Sequence, residues 1–133
     1  MTKILIIDDE SFMRDMIKTA LKIARYSDII EATNGKDGIK KFKEYNLDVV
    51  FLDMKLPDIY GGDVLKVFHK NKKINPKCKI IIVSTVNQEE MGQNNHLTLK
   101  EAEELGASSW IIKPITHEKI IVAVRKALNN KLY

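Results

Sequence analysis

The chain has 133 residues, of which 44% are hydrophobic and 30% are charged. These proportions are typical of a soluble globular protein, and the length predicts a single domain, residues 1–133, with a substantial core. Its net charge is +4, and no dense lysine or arginine block alternates with aromatic residues, so a nucleic-acid-binding function is not favoured. A single cysteine excludes an internal disulfide, and the lack of a membrane-length apolar run or a signal-peptide pattern predicts a cytoplasmic protein without membrane association.

Five short apolar runs along the chain predict β-strands that are buried on both faces of a sheet. In chain order these runs are residues 4–7, 29–30, 49–53, 80–83 and 110–112. A charged residue at the end of such a strand is expected to lie in a cleft open to water, because a buried charge without a partner is costly. The run at 49–53 is the clearest case, since four apolar residues lead directly into Asp53.

Helical patterns fill the segments between these strands. Ser11 is the predicted N-cap of the first helix, and Asn34 turns the chain into the second. The spacing Thr98-x-x-Glu101 is that of a capping box at the start of the fourth helix, and the last helix is predicted from residue 117 to about 131.

The third helix follows a loop predicted at residues 57–62. Gly61 or Gly62 is expected to supply backbone angles there that other residues resist. The helix itself is predicted to end near residue 72, before Asn75-Pro76 breaks the pattern.

The alternation of strands and helices predicts an α/β fold, a parallel sheet with helices on both faces. In such sheets functional groups gather at the carboxyl ends of the strands, beside the point where the strand order reverses. The residues with reactive side chains directly after predicted strands are Asp8, Asp9, Asp53, Ser84 and Lys113. The fold is therefore expected to bring these widely separated residues together.

Three crowded carboxylates repel one another, and a divalent cation with hard oxygen ligands, such as Mg²⁺, removes that repulsion. A metal ion, the Lys113 ammonium and the Ser84 hydroxyl are the groups needed to hold the oxygens of a transferring phosphoryl group. Asp53 would then be the nucleophile that forms an aspartyl phosphate. Simpler interpretations exist for each residue: helix N-terminal acids for Asp8 and Asp9, a polar loop residue for Ser84, an exposed lysine for Lys113.

Over essentially the whole chain these residues resemble the receiver domain of two-component response regulators, and residues 9–14 are most similar to chemotaxis-type stand-alone receivers. The resemblance implies the flavodoxin-like five-stranded sheet with strand order 2-1-3-4-5. The matching positions are the acidic pair Asp8-Asp9, the phosphoacceptor Asp53, the loop residues Leu56-Pro57 with Gly61, the hydroxyl residue Ser84, the aromatic switch position Trp110, and Lys113 with the usually cis Pro114.

The resemblance also implies a phosphorylation chemistry. A histidine kinase, a phosphotransfer protein or a small phosphodonor would supply a phosphoryl group to Asp53. Asp9 and Asp53 with the backbone carbonyl of Lys55 would bind Mg²⁺, and Asp8 would support the metal ion through water. The chain is thereby expected to catalyse only its own phosphorylation and dephosphorylation, and not to act as an enzyme on other substrates.

Output in this family follows from the phosphoryl group. Ser84 and Lys113 would hold its oxygens, and Ser84 with Trp110 would switch a surface that a downstream protein binds. The chain is expected to act as a monomer. Tyr60 stands where aspartate is frequent, and the segment 86–97 is longer than in chemotaxis-type receivers. We interpret that segment as reshaping the partner surface, and the alternative is a tolerated surface insertion.

Rival functions remain open at this point. One alternative is a phosphorelay intermediate; another is a degenerate receiver that only binds partners, which is less favoured because all the key residues are present. A magnesium-dependent phosphatase of the haloacid dehalogenase type is less favoured, because that family needs an aspartate two residues after the nucleophile, where this chain has Lys55. A flavin-binding module is disfavoured, because Asp8-Asp9-Glu10 would repel a phosphate after the first strand.

Overall fold

A computed structural model of the chain describes residues 1–85 and 97–128. The segment predicted as a long loop, residues 86–97, lies outside the described residues except for Leu97, and so do residues 129–131 of the predicted last helix. The strands are β1 (Lys3–Ile7), β2 (Asp28–Ala32), β3 (Val49–Asp53), β4 (Lys79–Ser84) and β5 (Ala107–Ile112). The helices are α1 (Ser11–Ile23), α2 (Gly35–Glu44), α3 (Gly61–Lys70), α4 (Leu99–Glu104) and α5 (His117–Ala127).

The five strands form one parallel sheet in the order β2-β1-β3-β4-β5. This order confirms the predicted α/β fold and its flavodoxin-like topology. The strand order reverses next to β1, so the carboxyl ends of β1 and β3 flank the position where such folds place their functional groups.

Two separate apolar layers cover the sheet, because successive strand side chains point to opposite faces. One layer packs α1 and α5 against the strands; its strand residues are Ile4, Ile6, Val49, Phe51, Ile81, Val83 and Ile111. The other packs α2, α3 and α4; its strand residues are Leu5, Ile7, Ala32, Val50, Leu52, Ile80 and Ile82. Burial on both faces explains why the central strands are continuous apolar runs. Among the described residues, no helix has the length and apolar character needed to cross a bilayer.

A buried asparagine fixes the chain at the opposite end of the sheet from Asp53. The Asn75 side chain is 6% exposed; its Oδ1 accepts a hydrogen bond from the Leu47 N–H at 2.8 Å, and its Nδ2 donates to the Phe42 carbonyl at 2.7 Å. Asn75 thereby joins the α3–β4 connection to the end of α2 and to the α2–β3 connection.

Two of the predicted helix caps are formed and one is not. The Asn34 side chain caps α2 by accepting from the Asp37 N–H, and the capping box of Thr98 and Glu101 is formed at the start of α4. The prediction that Ser11 caps α1 is wrong: Glu10 is the N-cap, and Ser11 is already helical. The reason is local: the Glu10 N–H donates a hydrogen bond to the Asp8 carboxylate, so the helix cap lies one residue earlier than predicted.

The prediction that Gly61 or Gly62 supplies unusual backbone angles is also wrong, because neither has a positive φ. Both are glycine for lack of space. A Cβ on Gly61 would lie 2.5 Å from the Met54 Cα, and a Cβ on Gly62 would lie 2.4 Å from the Tyr60 ring. The helix also begins earlier than predicted, at Gly61 itself.

Helix α1 ends in a Schellman motif. The Tyr26 N–H donates to the Leu21 carbonyl, and the Arg25 N–H donates to the Lys22 carbonyl. Arg25 takes the left-handed conformation at this position, with φ 71°, where glycine is favoured.

We expect Arg25→Gly to raise the free energy of unfolding by about 1 kcal/mol, because glycine adopts the left-handed conformation without steric cost. Urea unfolding of both proteins measures the difference. Gly106→Ala is the reciprocal control: Gly106 ends α4 with φ 99° and has no atom near its missing Cβ, so alanine should destabilise by a similar amount. A loss of stability in Arg25→Gly would contradict this explanation.

Candidate functional site

The predicted site residues lie at the carboxyl edge of the sheet. Asp53 is the last residue of β3, Asp8 directly follows β1, and Ser84 is the last residue of β4. Lys113 directly follows β5, and its N–H donates to the Ser84 carbonyl at 2.8 Å. Because these strands are parallel and adjacent, their ends meet at one edge and bring the residues together.

Asp53 and Lys113 form an ion pair inside this edge. The Lys113 Nζ lies 3.7 Å from the Asp53 Oδ1, and the two side chains are 15% and 3% exposed. The Lys113 Nζ is also 4.0 Å from the Glu10 Oε1. Burial raises the pKa of Asp53 above its usual value although the Lys113 charge and the Lys55 N–H act in the opposite direction. The carboxylate is therefore poorly hydrated, held by a cation and close to other acids.

Three acidic side chains at the start of α1 form a cluster next to Asp53. Asp8, Asp9 and Glu10 can place one carboxylate oxygen each within 4.8 Å of one another. Asp8 is fully buried, and burial, with the nearby Asp53 charge adding to it, raises its pKa from 3.8 to about 6 against the hydrogen bond from the Glu10 N–H.

One oxygen of this cluster is unsatisfied. The Asp8 Oδ1 accepts from the Glu10 N–H at 2.9 Å, but its Oδ2 is buried and has no hydrogen-bond partner among the described residues. A buried carboxylate oxygen in this condition calls for a cation or an ordered water. The donor set, hard oxygens of carboxylates with one exposed side, fits a magnesium ion.

Arg14 supports the acidic cluster and was missed by sequence reasoning. Its Nη1 donates to the Asp8 carbonyl at 2.9 Å, and its Nε pairs with the Glu31 Oε1 at 3.0 Å. The Asp8 N–H donates to the Ala32 carbonyl, so both backbone groups of Asp8 are fixed. The available signal was an arginine one turn into a helix that starts directly after an acidic pair.

The loop after β3 folds back on itself beside Asp53. The Lys55 N–H donates to the Asp53 Oδ1 at 3.2 Å, and Lys55 forms an isolated antiparallel bridge with Tyr60. The Gly61 N–H donates to the Met54 carbonyl at 2.9 Å. The Lys55 backbone thus lies beside Asp53, and the role of its carbonyl as a metal ligand stays a prediction.

Asp58 fastens this loop to α2, which the sequence did not indicate. Its carboxylate accepts hydrogen bonds from the Gly35 N–H at 2.7 Å and the Lys36 N–H at 2.9 Å. These bonds lower the pKa of Asp58. The loop that follows the candidate nucleophile is therefore held against the start of a helix.

The two candidate switch residues occupy neighbouring strands at this edge. Ser84 is 1% exposed, and Trp110, on β5, is half-buried against the layer that contains α4. Trp110 lines one cavity with Leu99 and Ala102 of α4, and its Nε1 has no hydrogen-bond partner among the residues described. The Lys113–Pro114 peptide bond is cis. Trp110 thus lies outside the acidic group, on the side of α4.

Comparison with known proteins supplies the family. The profile of the response regulator receiver domain matches residues 4–125. The chain is 36% identical over 124 residues to the chemotaxis protein CheY of Thermotoga maritima, covering 93% of this chain and 95% of the relative. It is 34% identical over 127 residues to CheY of Bacillus subtilis, covering 96% and 98%.

A solved structure agrees with these matches. The response regulator receiver domain protein of Clostridium thermocellum superimposes with a TM-score of 0.77 at 32% identity, covering 98% of this chain and 97% of that one. Receiver domains of this type are signalling modules. The strand order, the strand-end placement of the acidic and basic residues, and these matches lead to one conclusion: the chain belongs to the response regulator receiver domain family.

Proposed function

We propose that this protein is a stand-alone, chemotaxis-type response regulator that accepts a phosphoryl group on Asp53 and signals by contact with another protein. The observation that carries the proposal is the ion pair between the Lys113 Nζ and the Asp53 Oδ1, 3.7 Å apart in a buried site beside three more acids. The chemotaxis proteins it resembles are matched over nearly their full length, which supports the chemotaxis-type assignment.

The residues present fit a bound Mg²⁺, which Asp9 and Asp53 with the Lys55 carbonyl would hold, Asp8 supporting it through water. When bound, the ion offsets the negative charge of the acids and of the phosphoryl oxygens. In the transfer, an Asp53 carboxylate oxygen forms a bond to phosphorus as the bond from phosphorus to the donor breaks, which is the N–P bond when the donor is a phosphohistidine.

Lys113 and Ser84 then act on the product. The Lys113 ammonium lies close enough to Asp53 to reach an added phosphoryl oxygen. Ser84 is the last residue of the neighbouring strand β4, and its side chain is buried. A dianionic group attracts both donors in one loop arrangement, so that arrangement gains population, and the altered surface around Trp110 is offered to a downstream protein. In this proposal the protein is a cytoplasmic monomer, phosphorylated by a histidine kinase or phosphotransfer protein, without turnover of other substrates.

The test is phosphorylation by acetyl phosphate with Mg²⁺, followed by intact-protein mass spectrometry. We expect a mass gain of one phosphoryl group in the wild type, none in Asp53→Asn, and none when Mg²⁺ is chelated, because the nucleophile or the cation is then missing. Asp63→Asn, an exposed aspartate on α3, is the matched control and should be phosphorylated like the wild type. A wild type that stays unmodified would favour a degenerate receiver that only binds partners, and a gain that persists in Asp53→Asn would place the phosphoryl group on another residue and contradict the proposal.

A further inference from the structure

Tyr60 links the loop after Asp53 to the start of α4. Its hydroxyl accepts a hydrogen bond from the Leu97 N–H at 3.1 Å. Its ring lies on Gly62, where a Cβ would be 2.4 Å from the ring Cε2 and 3.1 Å from the Leu97 Cδ1. Gly62 therefore makes the space in which the ring and Leu97 meet.

On one side Tyr60 is connected to the candidate nucleophile, Asp53, through Lys55. It forms the antiparallel bridge with Lys55, whose N–H donates to the Asp53 carboxylate. The next residue, Gly61, is so close to the end of β3 that a Cβ there would lie 2.6 Å from the Asp53 carbonyl oxygen. Lys55 and Gly61 thus tie Tyr60 to the site, and a displacement of this loop moves the tyrosine ring.

On the other side Tyr60 reaches α4. Leu97 is 5% exposed in the apolar layer, and Thr98 directly after it is the N-cap of α4. This helix has six residues, too few to be stable without tertiary contacts. Its position therefore depends on anchors such as the Leu97 side chain, the buried Ala102 and the Tyr60 hydroxyl.

Trp110 can report where α4 lies. Leu99, Ala102 and Glu103 of α4 line one cavity with Trp110 of β5. Movement of α4 changes the surroundings of the indole directly. The chain of contacts runs from Asp53 through the loop to Tyr60, then to Leu97, α4 and Trp110.

We infer that Tyr60 is a positioning residue: its hydroxyl fixes the start of α4 relative to the loop after Asp53, and it sets how strongly a phosphoryl group on Asp53 alters the surroundings of Trp110. The second half of this inference rests on the proposed function, and the first half does not.

A purely space-filling role explains the ring but not the hydroxyl. Phenylalanine would fill the same volume over Gly62 and would leave the Leu97 N–H without this acceptor. Burial raises the pKa of Tyr60, so the hydroxyl stays protonated and neutral over the ordinary pH range. Tyr60→Phe therefore separates the two roles with one oxygen atom.

The first experiment measures amide hydrogen exchange in the unmodified protein. In Tyr60→Phe we expect the Leu97 amide to exchange at least about fivefold faster, the factor that corresponds to a lost hydrogen bond of about 1 kcal/mol, with a smaller acceleration across α4. Tyr45→Phe is the matched control: Tyr45 is 38% exposed at the amino end of the sheet, with its ring 5.3 Å from the Lys3 Nζ, and should leave α4 unchanged.

The second experiment follows Trp110 fluorescence on addition of Mg²⁺ and beryllofluoride, a phosphoryl analogue. We expect the fractional change in Tyr60→Phe to fall to about half of the wild-type value or less, since part of the coupling is lost. Tyr45→Phe should respond like the wild type. The mass gain with acetyl phosphate should be the same in all three proteins, because the hydrogen bond that Tyr60→Phe removes is made to the Leu97 N–H and not to a residue of the candidate site.

The outcomes separate the inference from the proposed function. Unchanged Leu97 exchange in Tyr60→Phe would overturn the positioning role. Faster exchange with an unaltered Trp110 response would overturn the coupling. A wild type that neither gains mass nor responds to beryllofluoride would overturn the proposed function and the coupling together, and the exchange experiment would still decide the positioning role.

Discussion

Replacing Asp8 by asparagine is expected to raise the free energy of unfolding by about 2 kcal/mol at neutral pH without divalent cations. Asp8 is fully buried, and burial with the nearby Asp53 charge raises its pKa from 3.8 to about 6. Holding this group ionised in the folded protein therefore costs about 3 kcal/mol. The gain in the free energy of unfolding is smaller than this by about 1 kcal/mol, because the asparagine amide that replaces the Asp8 Oδ2 would also be buried without a hydrogen-bond partner among the described residues.

The raised pKa of Asp8 also predicts how the stability of the wild type changes with pH. The folded state binds the Asp8 proton more tightly than the unfolded chain, so the wild type loses stability as pH rises from 3.8 to about 6. Above about pH 6 the gain of Asp8→Asn should be complete, and below pH 3.8 only the amide cost of about 1 kcal/mol should remain, which makes the variant the less stable protein there. Urea unfolding at several pH values measures it.

Two comparisons complete the Asp8 experiment. Asp9→Asn alters an exposed neighbour of the same cluster and should change stability much less. Added Mg²⁺ should stabilise the wild type more than Asp8→Asn, because a ligand stabilises only the state that binds it. Equal stability of wild type and Asp8→Asn at neutral pH would show that the buried carboxylate carries no such cost.

The second large effect is expected at Asn75, where alanine should lower the free energy of unfolding by about 3 kcal/mol. The substitution removes the partners of the Leu47 N–H and the Phe42 carbonyl, and an unsatisfied buried polar group costs about 1–3 kcal/mol. Chemical unfolding with far-UV circular dichroism measures the loss.

Asn71→Ala is the matched control for Asn75. The Asn71 Nδ2 donates to the Val67 carbonyl, one bond at a half-exposed helix end, so its loss should cost well under half as much. Similar losses of stability in Asn75→Ala and Asn71→Ala would mean that the two buried hydrogen bonds of Asn75 stabilise the fold no more than the single bond of Asn71.

The fold was predictable because its signals are local and repeated. Apolar runs such as Val49–Asp53 require a strand buried on both faces, and the alternation with helical periods leaves few topologies. The placement of Asp53 and Lys113 followed from the same rule, since parallel strands end at one edge. The capping box of Thr98 and Glu101 was equally local.

The features that could not be predicted from the sequence depend on contacts between residues distant in the chain or on the close approach of atoms in the folded protein. Asn75 bonds to groups 28 and 33 positions away, and Arg14 reaches Glu31 across two elements. The position of the α1 cap was decided by the Asp8 carboxylate rather than by cap preference at Ser11. Gly61 reflects a close backbone approach that no periodicity encodes.

The sheet divides the interior into two layers that share no helix: α1 and α5 on one side, and α2, α3 and α4 on the other. Each layer can consequently diverge in sequence without compensating changes across the sheet. The surface formed by α2, α3 and α4 can therefore change over evolution while the surface formed by α1 and α5 stays the same.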